Sequence, residues 1–147
     1  MSTQTCPNLD VMQFLMPRDQ VRKLRAGETI PSCMDTGFEK YGKLDRDWCW
    51  VYETGGEIKG VLLASPCHGL AFVWRFKVLP ECGQVAALAL LKRFRRDCRK
   101  MDVHGYLTLL DLSTATGKQL RRVVERCGGK DYGTVNLLSS AFSKGGF

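Results

Sequence analysis

Between Trp48 and Leu112 the hydrophobic period of the chain changes from two to about 3.6 and back again, and that order leaves few folds open. Trp48 to Glu53 is aromatic and β-branched, which suits a strand. Gly55-Gly56 is a tight hairpin signal, and Ile58 to Ala64 reads as the returning strand. Pro66 to Gly69 marks a second turn. Leu70 to Val78 is a third strand with strict alternation: Phe72, Trp74, Phe76 and Val78 face one way, and Val73, Arg75 and Lys77 the other. Pro80 to Gly83 breaks this meander. Gln84 to Lys100 then reads as an amphipathic helix with Ala87, Leu91, Phe94, Cys98 and Met101 in its apolar stripe. Lys92, Arg93, Arg95, Arg96, Arg99 and Lys100 fill the other face. Tyr106 to Leu112 is nearly continuous in apolar residues, as expected of a central strand covered on both faces. A strand–helix–strand step joins parallel strands through a right-handed crossover. The expected class is therefore α/β (α+β), with a mixed sheet in which Leu70–Val78 and Tyr106–Leu112 are parallel neighbours.

The flanks complete a single-domain plan over residues 1–147. Thr116 to Cys127 is a second amphipathic helix, carrying Leu120, Val123, Val124 and Cys127 and stopped by Gly128-Gly129. Tyr132 to Leu138 is the expected closing strand, so that 48–142 hold the sheet and two helices and 143–147 form a loose tail. Residues 1–47 read as mainly helical. Val11 to Leu15 suits a short strand, but Pro17-Arg18-Asp19 suits a helix start, with Val21 and Leu24 on its apolar side and Gly27 at its end. A shorter helix is expected from Met34 to Tyr41.

A chain of 147 residues with 44% hydrophobic residues needs neither a metal nor a disulfide to hold one core. Its seven cysteines are odd in number, and none lies in a CxxC spacing. This argues against a zinc site and a disulfide framework, and for reduced thiols in a cytosolic setting. No signal-peptide pattern and no run of about 20 apolar residues is present. The net charge of +7 suits an anionic ligand or an acidic partner.

Ligands of open α/β sheets bind where the ends of neighbouring strands diverge. That point falls after Val78, at Leu79-Pro80-Glu81-Cys82-Gly83-Gln84, where the first N–H groups of a helix have no intrahelical partner and the dipole favours an anion. A diphosphate suits such a site, although any strand-to-helix turn has the same local features.

The stretch Val78-Leu79-Pro80-Glu81-Cys82-Gly83-Gln84-Val85-Ala86-Ala87-Leu88-Ala89 resembles the pyrophosphate loop of the GNAT N-acetyltransferases. In that family a strand ending in Val-x-Pro precedes Gln/Arg-x-x-Gly-x-Gly/Ala and a helix; Gln84-x-x-Ala87-x-Ala89 matches with Ala in place of the central Gly. The order of elements downstream is similar too, and the resemblance spans about Trp48 to Phe142. It implies an acetyl-CoA-dependent N-acyltransferase, with Val78, Cys82, Gly83, Gln84, Val85, Ala86, Ala87, Leu88, Ala89 and Thr116 against the cofactor and an amine as acceptor. The chain departs from the family pattern in three places. Ser113-Thr114-Ala115-Thr116-Gly117 replaces the Asn after the fifth strand. Val124 stands where many members carry a Tyr that protonates the CoA thiolate. The usual Gly-Phe is Gly128-Gly129. Glu53, Glu57 and Asp111 are the candidate bases near the splayed strands, Glu53 and Asp111 foremost, though each also reads as a surface carboxylate. The sequence is likewise similar to short GNAT-like proteins of tailed phages, some of them virion components. This keeps open a non-catalytic protein that binds an acidic partner in the host cytoplasm or within a virion.

Three other features carry less. The basic face of the long helix offers phosphate contacts, but without interleaved aromatics or a nucleic-acid-binding motif it reads as a solvated face. His68 and His104 stand alone. Cys67 and His68 are adjacent in the chain, so on a strand they point to opposite faces and cannot form a nucleophile–base pair.

Overall fold

A computed structural model describes residues 20–34, 45–131 and 133. Five strands form one sheet in sequence order: β1 (Val21–Lys23), β2 (Cys49–Thr54), β3 (Glu57–Cys67), β4 (Leu70–Val78) and β5 (Tyr106–Thr108). The first four are antiparallel neighbours, and β4 and β5 are parallel. Helix α1 (Gly83–Lys100) makes the crossover between β4 and β5, and helix α2 (Ala115–Arg126) follows β5. The mixed sheet and the parallel pairing expected from the sequence are both present. Both hairpins turn through two residues with positive φ, at Gly55-Gly56 and at His68-Gly69, which matches the right-handed twist of their strands.

Two hydrophobic clusters form, and β-strand alternation sorts residues between them. Trp50, Tyr52, Leu62, Val73, Phe76 and Val78 pack with the apolar stripes of both helices: Ala86, Ala87, Leu90, Leu91, Phe94 and Cys98 of α1, and Leu120, Val123 and Val124 of α2. Cys49, Val51, Val61 and Leu63 alternate with them along the strands and pack with Leu24 and Met34. Phe94 is fully buried, edge-on to Trp50 at 5.1 Å and to Tyr106 at 5.5 Å between ring centroids.

Several expectations are corrected. Val21–Lys23 is a strand rather than part of a helix, because its backbone pairs with Trp50–Tyr52; Leu24 then enters the second cluster. Sheet pairing here overrides a helical pattern only a few residues long. Pro66 and Cys67 lie in β3, so the second turn is His68-Gly69 alone. β5 ends at Thr108 instead of running to Leu112. Met101 caps the C-terminus of α1 and is exposed. The alternation of β4 is also broken. Leu63 pairs with Arg75 and Ala64 with Val73, leaving Trp74 as one extra residue. This bulge puts Val73 on the same side as Phe76 and Val78, and sends Trp74 to the second cluster. The expected strand Val11–Leu15, the helix start at Pro17–Asp19, the helix beyond Met34, the closing strand Tyr132–Leu138 and the tail lie outside the described residues.

Candidate functional site

The bulge in β4 sits where its pairing with β5 stops. Val73 pairs with Thr108, and no pair follows. Beyond that point the two strands separate at their C-terminal ends and leave a cleft of about 250 Å³. Its walls are Trp74, Arg75, Phe76 and Lys77 from β4, Leu109, Leu110 and Asp111 from the segment after β5, and Thr114, Thr116, Gly117 and Leu120 from the start of α2. Apolar residues, two basic residues and one acidic residue thus line a gap between the strands. The hydroxyl oxygen of Thr108, at the point of divergence, is buried and has no hydrogen-bond partner among the described residues.

The floor of the cleft is fixed by the way α2 begins. Thr114 caps the helix: its hydroxyl accepts from the Gly117 N–H at 2.9 Å and donates to the Asp111 carbonyl oxygen at 3.0 Å. Gly117 lies directly on that carbonyl, where a Cβ would come within 1.7 Å of the oxygen. The Asp111 carboxylate accepts from the Ser113 N–H at 3.0 Å and from the Ser113 hydroxyl at 2.5 Å. These bonds hold its carboxyl below the usual carboxylate range, which keeps it charged and weakens it as a base.

Helix α1 starts at the same end of the sheet. A short 3-10 turn, Pro80–Cys82, leads into it, and Gly83 takes φ 59° and ψ −155°, a conformation open only to glycine. Cys82 occupies the N-cap position without a side-chain hydrogen bond to the helix. The first-turn N–H groups at Gly83, Gln84 and Val85 therefore have no side-chain cap. Gly83 donates to the Pro80 carbonyl oxygen, while Val85 is exposed. Burial raises the thiol pKa of Cys82, so this side chain is a neutral neighbour. Ala86 and Ala87 are buried in the helix–sheet core, at 0% and 1% exposure. Their methyl groups pack inward, so a smaller residue at Ala87 would remove a core contact. Val78 is also a core residue, and Leu88 and Ala89 pack at its margin.

The structure thus brings Asp111 and Thr116 together in the cleft and sets Gly83–Val85 at an uncapped helix start. Glu53 lies elsewhere. It is on β2, with β3 between it and β4, and it accepts from Arg22 Nη2 at 2.6 Å and Nε at 2.9 Å. Glu57 is exposed beside Lys59. Sequence reasoning misses Arg75 and Lys77 as cleft residues, since strict alternation sets them on the face opposite Phe76, which also lines the cleft. Among the described residues there is no group of three metal-ligating side chains, and no helix is long and apolar enough to cross a membrane. None of the six described cysteines is in a disulfide.

No protein-family model and no curated protein sequence matches the chain. Solved structures do. An integron cassette protein, HFX_CASS3, from the mobile metagenome of Cole Harbour salt marsh is 21% identical, with a TM-score of 0.51 over 86% of this chain and 93% of its own. A point mutant of TTHA1254 from Thermus thermophilus is 16% identical, with a TM-score of 0.50 over 82% of this chain and 87% of its own. A probable acetyltransferase is 14% identical, with a TM-score of 0.47 over 92% of this chain and 95% of its own. At these identities the first two likenesses show a shared fold.

Proposed function

We propose that the chain is a GNAT-type N-acyltransferase that takes its acyl group from acetyl-CoA. The observation that carries this reading is the bulge in β4, which ends the β4–β5 pairing and opens a cleft at the same end of the sheet as the uncapped start of α1. The residues present fit the cofactor. The N–H groups of Gln84 and Val85 have no side-chain cap, and Gly83 supplies the turn that directs them outward, as a diphosphate needs. Acetyl-CoA, when bound, supplies a thioester carbon open to attack by an amine.

The chain's own residues divide the remaining work. The cleft admits the thioester end between the two strands, and Phe76 and Leu120 exclude water from it. Thr116 stands at its edge with a free hydroxyl among the described residues. Asp111, held charged by Ser113, attracts and orients an ammonium; its lowered basicity makes it a positioning residue first and a proton acceptor second. Glu53 is engaged by Arg22 and is left as a structural carboxylate in this reading.

One observation favours the second reading, a non-catalytic protein with this fold that binds an acidic partner. Val124 is buried in the core, so α2 offers an alkyl group where a proton donor to the CoA thiolate would be needed. Calorimetric titration with acetyl-CoA separates the two. The wild type is expected to bind, and Val85→Glu is expected to abolish binding. Val85 is 44% exposed in the first helical turn, so a Glu there meets the diphosphate as a like charge without entering the core. The same charge favours the helix dipole by about 0.3–1 kcal/mol, so the melt should hold or rise. No heat at millimolar acetyl-CoA with folded wild-type protein would end the acyltransferase reading.

A further inference from the structure

The positive charge of this protein is gathered on one layer. Helix α1 carries six basic residues and one acidic one, and α2 four basic and one acidic, so the two helices hold a net +8 where the whole chain has +7. The remainder of the chain is slightly acidic. The sequence places these charges on two separate stripes; the fold joins them. Both helices bury their apolar faces in the same cluster and pack against each other, which brings the two stripes onto one layer.

Few of these charges are engaged. Arg93 and Arg121 have carboxylate partners within hydrogen-bonding distance, but Arg95, Arg99, Lys100, Lys118, Arg122 and Arg126 have no ion pair among the described residues. At one border of the layer Lys23, Arg93 and Lys100 surround a notch of about 230 Å³ with Asp97 and Met101, large enough for one phosphate group. Asp97 does not oppose an anion there as a lone charge would. Its carboxylate already accepts from Trp50 Nε1 at 2.9 Å and Arg93 Nε at 3.1 Å.

We infer that the outer face of α1 and α2 is a sequence-independent binding surface for the phosphate backbone of a nucleic-acid duplex. The face lacks what a protein partner needs. Stable protein interfaces centre on buried aromatic or large aliphatic anchors. Along α1 the exposed large apolar residues are Val85 in its first turn and, just past its end, Met101; α2 has none. Phosphate contacts need only cations at helical spacing; those of α1 run from Lys92 to Lys100 and those of α2 from Lys118 to Arg126, about 12 Å along each helix, the span of a few phosphates. Base readout would need side chains that fit a groove, and no exposed Asn, Gln or aromatic cluster interrupts the cations on α1.

The test is fluorescence anisotropy with a labelled mixed-sequence DNA duplex of about 20 base pairs, repeated with an RNA duplex of the same sequence and with polyglutamate as competitor. Wild-type protein is expected to bind at about 50 mM salt, with log affinity falling by about 0.9 per phosphate contact for each log unit of salt. Arg99→Glu with Arg122→Glu, one exposed change on each helix, should weaken binding at least about tenfold and make the salt slope shallower by about two. Arg25→Glu with Arg46→Glu changes net charge equally away from the two helices and should stay within about twofold. A preference for DNA or for RNA then identifies the source of the backbone. The inference is overturned by no binding to either duplex, by equal losses in the two double variants, or by polyglutamate displacing the duplex at equal charge, which would assign the face to an acidic protein.

Discussion

Single side chains carry large consequences here because so few polar groups are buried with so many apolar ones. Phe94 is fully enclosed between Trp50 and Tyr106, so Phe94→Ala removes both edge-to-face contacts and leaves a cavity; a loss of about 3–5 kcal/mol is expected in denaturant melts. Arg95→Ala, one residue on, should change stability by less than about 0.5 kcal/mol. Equal effects would mean that the buried face of α1 is assigned wrongly. At the sheet edge, Arg22 donates to Glu28 at 2.8 and 2.7 Å and to Glu53 at 2.6 Å. The Arg22 guanidinium holds the Glu28 carboxyl at about 2, below its ordinary value near 4.5. The folded pKa is the lower one, so this stabilisation is complete above about pH 4.5 and is lost as pH falls toward 2. After allowance for solvent screening it amounts to about 1 kcal/mol, and Glu28→Gln should remove that part of the acid slope in melts taken from pH 5 to pH 2. The role of Phe94 is legible from helical spacing alone, whereas the Arg22 cluster is not. Its partners lie 6 and 31 residues from Arg22 in the chain: the turn after β1 returns Glu28 to it, and the pairing of β1 with β2 brings Glu53.

Whole elements show where sequence patterning stops being informative. β4 has the bounds its composition suggests, and α1 and α2 lie within a residue of theirs, because each has a long periodic signal and marked ends. The end of α2 is fixed by Gly129 N–H donating to the Val124 carbonyl oxygen at 2.9 Å and Gly128 N–H to that of Glu125 at 3.0 Å, a paired closure that the Gly-Gly signal announces. Periodicity misreads β1 because three residues have no resolvable period, and only the neighbouring strand makes them extended. Composition overextends β5 because Leu109, Leu110 and Leu112 are apolar without being paired; the first two line a cleft and the third is exposed. The start of α2 gives a sharper test of how the cleft is held. At Gly117 an added methyl would sit 1.7 Å from the Asp111 carbonyl oxygen, so either the helix or the loop must move. Gly117→Ala is expected to cost about 2 kcal/mol or more in chemical denaturation, far beyond the gain from its better helix propensity. A neutral or stabilising result would show that α2 does not dock on the loop after β5.

At the scale of the molecule, one extra residue accounts for the cleft. Without Trp74, Val73 would be followed by Arg75, and β4 would alternate without interruption beside β3 from Leu70 to Val78. A regular β4 would twist evenly with its neighbours, and nothing would then stop its parallel pairing with β5 at Val73–Thr108. The apolar residues Leu109 and Leu110 would be free to extend the ladder, which is the strand their sequence suggests. The bulge is thus invisible to periodicity, since it is defined by the partner strand, and yet it decides whether the parallel pair is a closed sheet or a site. Deletion of Trp74 puts this to the test. Loss of the indole from the second cluster is destabilising, while restored pairing is stabilising, so the melting temperature is expected to move by only a few degrees. The ligand-dependent readouts should move much further. Amide exchange at Lys77, Leu109 and Leu110 should slow as the strands pair, and acetyl-CoA binding should fall at least about tenfold because the thioester end no longer enters between them. Slowed exchange with unchanged binding would detach the cofactor from the cleft and leave the uncapped start of α1 as its whole site. Unchanged exchange would mean that β4 and β5 diverge for a reason other than the bulge.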